Sequence, residues 1–417
     1  MIDITRRAFV RAGSLALVSF GFDPVFLDRA AYAVGGAPAA GSGQTLVCLF
    51  QRGAVDGLSM VVPHGEPSYY QDRPRIAISK ADLIDLDGHF GFHPALKALA
   101  PRWEAGELAV VHAVGSPDTT RSHFDAQDFM ESGTPGEKVT RDGWGNRYCQ
   151  HNREHAETPF RAVAFGPQLP RALGGTAPSL AIDDLRTFGV RARNPEVSER
   201  LTRAFEDLYQ GGSTGLLSTS SAEAFEAIRM LKEANPARLD PDNGAEYPKG
   251  KLGLSLSQIA QLIKADLGLE LAFVDVGGWD THVNQGSASG QLGARLDELG
   301  RSLAAFATDL GSRMKDVVVL TMSEFGRTVR ENGTVGTDHG HATAMLVMGG
   351  RIRGKQVAGR WPGLDPSSRF EGRDLAVTTD FRALFSEVLQ GHLGARRMDL
   401  VFPGFDSRAA RPLGLFG

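Results

Sequence analysis

Short apolar runs of strand character that alternate with amphipathic helical patterns predict an α/β fold, with a mostly parallel central sheet and helices on both faces. Five runs carry the sheet: TLVCLFQ (Thr45 to Gln51), LAVVHAV (Leu108 to Val114), LELAFVDVG (Leu269 to Gly277), VVVLTMS (Val317 to Ser323) and AMLVMGG (Ala344 to Gly350). They are nearly continuous in apolar character instead of alternating with polar residues, the pattern of strands covered on both sides. Between the third and fourth runs, Leu292, Leu296, Leu299, Leu303, Phe306 and Leu310 recur at steps of four and three, so one helix lays an unbroken stripe on that sheet.

The 417 residues, 42% hydrophobic and 23% charged, have the make-up of a globular chain with a large core, and one main domain over 44–417 is expected. Within it, 211–245 begins rich in Gly, Ser and Thr and leads into DPDNGAEYP without strand signals; it reads as an excursion that caps the sheet's edge. A formal net charge of -4, from 45 basic and 49 acidic residues, leaves no electrostatic footprint for a polyanion, so nucleic acid is not an expected partner. Only Cys48 and Cys149 are present, too few for a disulfide scaffold. Cys48 lies inside an apolar run where a buried free thiol is expected, and a single disulfide between the two stays open.

Residues 5–13 read TRRAFVRAG, with Arg6 and Arg7 ahead of Phe9 and of an apolar stretch from Leu15 to Phe22. This resembles a twin-arginine export signal. The stretch is shorter than the roughly 20 apolar residues a bilayer-spanning helix needs, so no permanent membrane anchor is expected. Ala31 and Ala33 form an A-x-A site, which predicts a signal peptide over 1–33, a flexible mature terminus over 34–43, and a periplasmic or secreted protein carried out folded by the twin-arginine translocase.

In sheets of this kind ligands gather outside the carboxyl ends of the strands, and the segments at those places carry the chemistry. After the first run, Asp56 stands between Gly53 and Gly57, where it reads alone as a turn residue and in company as a metal ligand. After the second, Thr120 or Ser122 caps a helix running to about Ser132; a hydroxyl there sits in the positive field of a helix N-terminus, where a nearby cation would suit that of Ser122 to nucleophilic attack. The third run ends in DVGGWDTHVNQ, with Asp280 and His282 two residues apart. The fourth ends in TMSEFGRT, which offers Glu324 as a ligand and Arg327 as a forked clamp for an anion. The loop ENGTVGTDHGHA then presents Asp338, His339 and His341 just before the fifth run. Each alone reads as a loop residue with a satisfied hydrogen bond; together they point to one or two divalent ions. Mixed Asp, Glu and His ligation suits Zn, Mn or Fe better than Ca.

The ordered segments RGAVDGL, RSHFDAQDFMESG, GGWDTH, SEFGRT and GTDHGH resemble the bacterial domain of unknown function 1501 family, from about Thr45 to the C-terminus. That family is grouped with the alkaline-phosphatase-like superfamily, which also holds sulfatases and phosphomutases. The resemblance implies an alkaline-phosphatase-like fold in which Asp56, Ser122 as nucleophile, Asp280 with His282, Glu324 and His339 surround two metals. Two departures stand out. The superfamily's Asp-His pair appears here as Glu324 followed by Phe325, and Asp280 and His282 are closer together than usual. His341 or His123 supplies the missing imidazole, and Asp338 an extra carboxylate, with nothing in the spacing to decide between them.

The expected function is therefore an exported, metal-dependent hydrolase of phosphate or sulfate esters with Ser122 as nucleophile, and with Arg327 and Arg121 holding the anion's oxygens. The alternative is a non-catalytic exported protein on the same fold that binds a cell-surface glycan or a protein partner.

Overall fold

The structure, a computed structural model, describes residues 43–138, 140–152, 158–188 and 226–417. The expected signal peptide (1–33), all but the last residue of the expected flexible terminus (34–43), and 211–225 of the expected excursion lie outside the described residues.

Among the described residues, nine strands form one sheet: β1 (Thr45–Gln51), β2 (Leu108–Gly115), β3 (Ala162–Phe165), β4 (Leu180–Ile182), β5 (Leu271–Val276), β6 (Val317–Met322), β7 (Thr343–Gly349), β8 (Val357–Ala358) and β9 (Thr379–Asp380). Their order is β8-β2-β7-β6-β1-β5-β3-β4, with β9 also pairing with β2. Every pairing is parallel except those of β7, which runs antiparallel to both β2 and β6. The five expected runs are β1, β2, β5, β6 and β7. The other four strands span only two to four residues each, too short to leave a periodic signal. The reversal of β7 has a functional consequence: the loop that enters it lies at the edge where β1, β5 and β6 end.

Successive side chains of the strands feed two cores. Val47, Leu49, Val110, Val317 and Val319 face one side, and Leu46, Cys48, Val111, Val318 and Leu320 the other, which is why the runs are apolar without alternation. The helices that cover the sheet and reach its rim include α1 (His123–Ser132), α2 (Trp144–His151), α3 (Lys251–Lys264), α4 (Gln291–Leu310) and α5 (Phe381–Leu393). Helices α3 and α4 cover the first face; α2 and α5 cover the second. All six residues of the predicted stripe on α4 are buried, each worth about 1.5–3 kcal/mol of apolar transfer. Helix α1 begins after the Ser122 cap and ends at Gly133, whose φ of 69° is the left-handed stop that glycine adopts without steric cost.

The described part of the excursion is helical over 226–234 and then runs along the α3/α4 layer, where Gln261 donates to the Leu239 carbonyl at 2.9 Å and Tyr247 to Asp309 at 2.8 Å. Cys48 and Cys149 are both buried free thiols, which closes the disulfide alternative. Among the described residues, no helix is long and apolar enough to cross a membrane.

Candidate metal centre

Three imidazoles and one carboxylate converge at the carboxyl edge of the sheet. Asp280 and His282 come from the turn after β5, His339 from the loop before β7, and His123 from the first position of α1. Ligand atoms of His123, Asp280 and His339 all lie within 4.8 Å of one another, and among the described residues no other His, Cys, Asp and Glu side chains gather in this way. His282 joins from the side: its Nε2 is 3.1 Å from Asp280 Oδ1 and 2.9 Å from His339 Nε2. The imidazoles are half-buried and Asp280 is exposed, so the group faces solvent at the rim.

Each ring is held from behind. His123 Nδ1 lies 2.8 Å from Glu324 Oε1, His282 Nδ1 is 3.1 Å from Asp338 Oδ1, and His339 Nδ1 is 2.9 Å from the Arg121 carbonyl. Carboxylate and carbonyl oxygens accept and do not donate, so each Nδ1 carries the proton and each Nε2 is left as a lone pair. His123 Nε2 is buried and has no hydrogen-bond partner among the described residues. Phe325 adds an apolar contact, its ring 5.0 Å from those of both His123 and His339.

Glu324 is fully buried. Its Oε1 accepts from the Gly53 amide at 2.8 Å, the Gln127 amide at 2.9 Å and His123; its Oε2 accepts from the Ser323 hydroxyl at 3.1 Å. Burial alone would raise its carboxyl, but these hydrogen bonds, led by that from His123, outweigh it and hold the group below the usual carboxylate range. Asp280 behaves alike: desolvation opposes ionisation, and the Arg327 guanidinium 2.6 Å away more than compensates. Asp338 is kept low chiefly by the Asn332 side-chain amide, and burial pushes the His339 imidazole down.

Not every expected residue is part of this group. Asp56 is fully buried in a two-pronged pair with Arg73, at 2.6 and 3.0 Å, and also accepts from Gln285 at 2.7 Å. Its oxygens are committed to a buried structural pair, with burial opposing ionisation and Arg73 prevailing to hold the carboxyl low. His341 is turned to the Ser116 carbonyl at 3.1 Å and stacks at a tilt on Phe370, away from the cluster. Arg327 is buried and donates to the carbonyls of Ala54, Thr337, Gly53 and Trp279 as well as to Asp280. It braces the two glycine turns against each other instead of facing a substrate. Ser122 caps α1, its Oγ accepting from the Asp125 amide at 3.5 Å, with a ring of the cluster on the next residue.

His123 is the cluster member that sequence reasoning named only as a substitute. The signal for it was present: the first residue after a strand-end N-cap is carried to the rim with the cap. Gly53, at φ 113°, makes the convergence possible, since a Cβ there would stand 2.8 Å from the Asp280 amide nitrogen.

Among solved structures, the chain is similar to a protein of the alkaline phosphatase superfamily from Vibrio parahaemolyticus, at 10% identity and a TM-score of 0.31 over 86% of this chain and 72% of that one. It is also similar to a lipoteichoic acid synthase from Listeria monocytogenes, at 8% identity and a TM-score of 0.32 over 84% and 78%. A third similar structure is phosphonoacetate hydrolase from Sinorhizobium meliloti 1021, at 14% identity and a TM-score of 0.25 over 70% and 60%. The sequence matches no curated protein. A family profile described as protein of unknown function (DUF1501) matches residues 44–395, and the chain belongs to that family.

Proposed function

We propose that the protein is an exported, metal-dependent hydrolase of phosphate or sulfate esters. The observation that carries this reading is the convergence of three Nε2 lone pairs on the Asp280 carboxylate, at a solvent-facing rim beside a helix-capping serine. Three imidazoles and a carboxylate make a donor set suited to Zn, Mn or Fe. A divalent cation bound there supplies positive charge to a phosphoryl or sulfuryl oxygen and favours ionisation of a nearby hydroxyl.

The chain's own residues do the rest. Ser122 Oγ, in the positive field of α1, forms the bond to phosphorus or sulfur while the bond to the ester oxygen breaks and the departing alcohol takes up the proton. Water then cleaves the Ser122 ester, releases phosphate or sulfate and restores the hydroxyl. With Arg327 turned inward, the contact to the anion falls to Arg121. Its Nε and Nη2 pair with Asp374 and Glu371, while Nη1 donates to no protein acceptor among the described residues. Export through the twin-arginine translocase rests on Arg6 and Arg7 and on the Ala31 and Ala33 cleavage site.

A second reading, a non-catalytic binder of a glycan or protein partner, is favoured by one feature: the Ser122 hydroxyl is already engaged as a helix cap. Turnover of aryl phosphate and aryl sulfate by the purified mature protein, with Ser122→Ala as control, separates the two. The hydrolase reading expects turnover that metal removal and Ser122→Ala both abolish. A well-folded, metal-replete wild type that turns over neither ester would sink it.

A further inference from the structure

The resemblance to the alkaline-phosphatase-like superfamily implies two ions, but the residues present do not fit two. Asp56, which the second ion would need, is locked in a fully buried pair with Arg73 and is bonded to Gln285 as well. Phe325 fills the position of the expected histidine and packs against the two neighbouring imidazoles. His341 is spent on the Ser116 carbonyl. The Arg327 guanidinium, fully buried, already neutralises Asp280 from the protein side.

One ion, by contrast, is called for by two independent observations. The first is the Nε2 pair: His282 and His339 bring two lone pairs to 2.9 Å, an arrangement that repels unless a proton or a cation lies between. The separations of 2.9, 3.1 and 3.8 Å among His282 Nε2, His339 Nε2 and Asp280 Oδ1 bracket the roughly 3.4 Å edge expected of a tetrahedron with metal–ligand bonds of about 2.1 Å, and His123 Nε2 approaches the same carboxylate at 3.9 Å from Oδ2. The second is Glu324, a fully buried carboxylate whose one ion-pair partner among the described residues is His123. A buried carboxylate without a fixed cation is costly, and a metal on the far side of the His123 ring supplies the missing charge.

We propose that His123, Asp280, His282 and His339 hold a single divalent cation, and that Glu324, Asp338 and the Arg121 carbonyl position the three imidazoles without touching the metal. The inference rests on the metal-binding part of the proposed function and not on its ester chemistry. It makes Glu324 and Asp338 positioning residues: each fixes which ring nitrogen carries the proton and the direction in which the other points.

The test is metal titration of the stripped, full mature protein with Zn, Mn and Co, read by elemental stoichiometry and by the Co absorption spectrum. One ion per chain is expected, kept in Asp56→Asn and lost in His123→Ala. Glu324→Gln and Asp338→Asn retain one ion with affinity lowered 10–100-fold and an altered Co spectrum. Asp338 is exposed, so its variant remains informative should Glu324→Gln fail to fold. Two ions per chain, no ion, or full affinity in both positioning variants overturns the inference. One ion without ester turnover leaves it standing and removes the hydrolase; two ions with turnover does the reverse.

Discussion

Replacing Asp56 by Asn separates a structural carboxylate from a metal ligand. Asp56 and Arg73 are both fully buried, joined through both carboxylate oxygens, so the variant leaves a guanidinium charge in the core without its counter-charge. Removing one partner of a buried pair costs about 3–5 kcal/mol. Here the lower end is expected, because Arg73 keeps three other acceptors: the Val329 carbonyl, the Thr328 carbonyl and the Ser59 hydroxyl. Asn preserves the shape and one acceptor oxygen but turns an NH2 toward a guanidinium N–H, so the cost is one of charge and of a lost acceptor and not of volume. Urea denaturation followed by tryptophan fluorescence reads the change, and elemental analysis of the same preparation reads the metal. The expected result is a loss of about 3 kcal/mol with metal content unchanged. Loss of metal at wild-type stability would refute the reasoning and return Asp56 to the ligand set.

Three further outcomes follow from the geometry. Gly53→Ala places a Cβ 2.8 Å from the Asp280 amide at a φ of 113°, so stability should drop by about 1–3 kcal/mol and metal affinity with it; a neutral variant in both assays counts against the close approach. Burial pushes the His112 and His392 imidazoles down to about 4, with His112 donating to the Val61 carbonyl and His392 to the Thr45 carbonyl as neutral rings. The unfolded chain then binds more protons than the folded one from about pH 6.5 down to pH 4. Stability should therefore fall with acidification by about 1.4 kcal/mol per pH unit for each ring, and His392→Gln should reduce that slope by one ring's share; an unchanged slope contradicts the assignment. Finally, burial pushes both thiols up, Cys149 to about 12, so a thiol reagent should find none in the native protein and two after denaturation. Two fast-reacting native thiols, or none after denaturation, would contradict the packing.

Much of the candidate site was legible because its residues are grouped locally. Asp280 with His282 and Asp338 with His339 each lie within one short loop, and glycines beside them mark turns at strand ends. The misplacements have a common cause: each depends on a partner supplied by a different loop. Asp56 looks like a ligand until Arg73 folds back over it from a separate loop. Arg327 looks like a clamp for substrate until the turns at Gly53 and Trp279 close around it. Glu324 looks like a ligand until His123, some two hundred positions earlier, takes its oxygen.

The amino-acid sequence by itself determined the layers of this protein: continuous apolar runs make buried strands, and a stripe at steps of three and four makes the helix that covers them, because both follow from periodicities of a few residues. It also determined which residue types reach the rim. Only the tertiary structure decided which of them meet. The antiparallel sense of β7 brings His339 to the edge where β5 delivers Asp280 and His282, and the packing of α1 turns His123 toward them. The physical reason is that ligand sets and buried ion pairs are fixed by distances of a few ångströms between separate loops, from 17 positions apart for Asp56 and Arg73 to 201 for His123 and Glu324, and no local pattern records which carboxylate will find a guanidinium first.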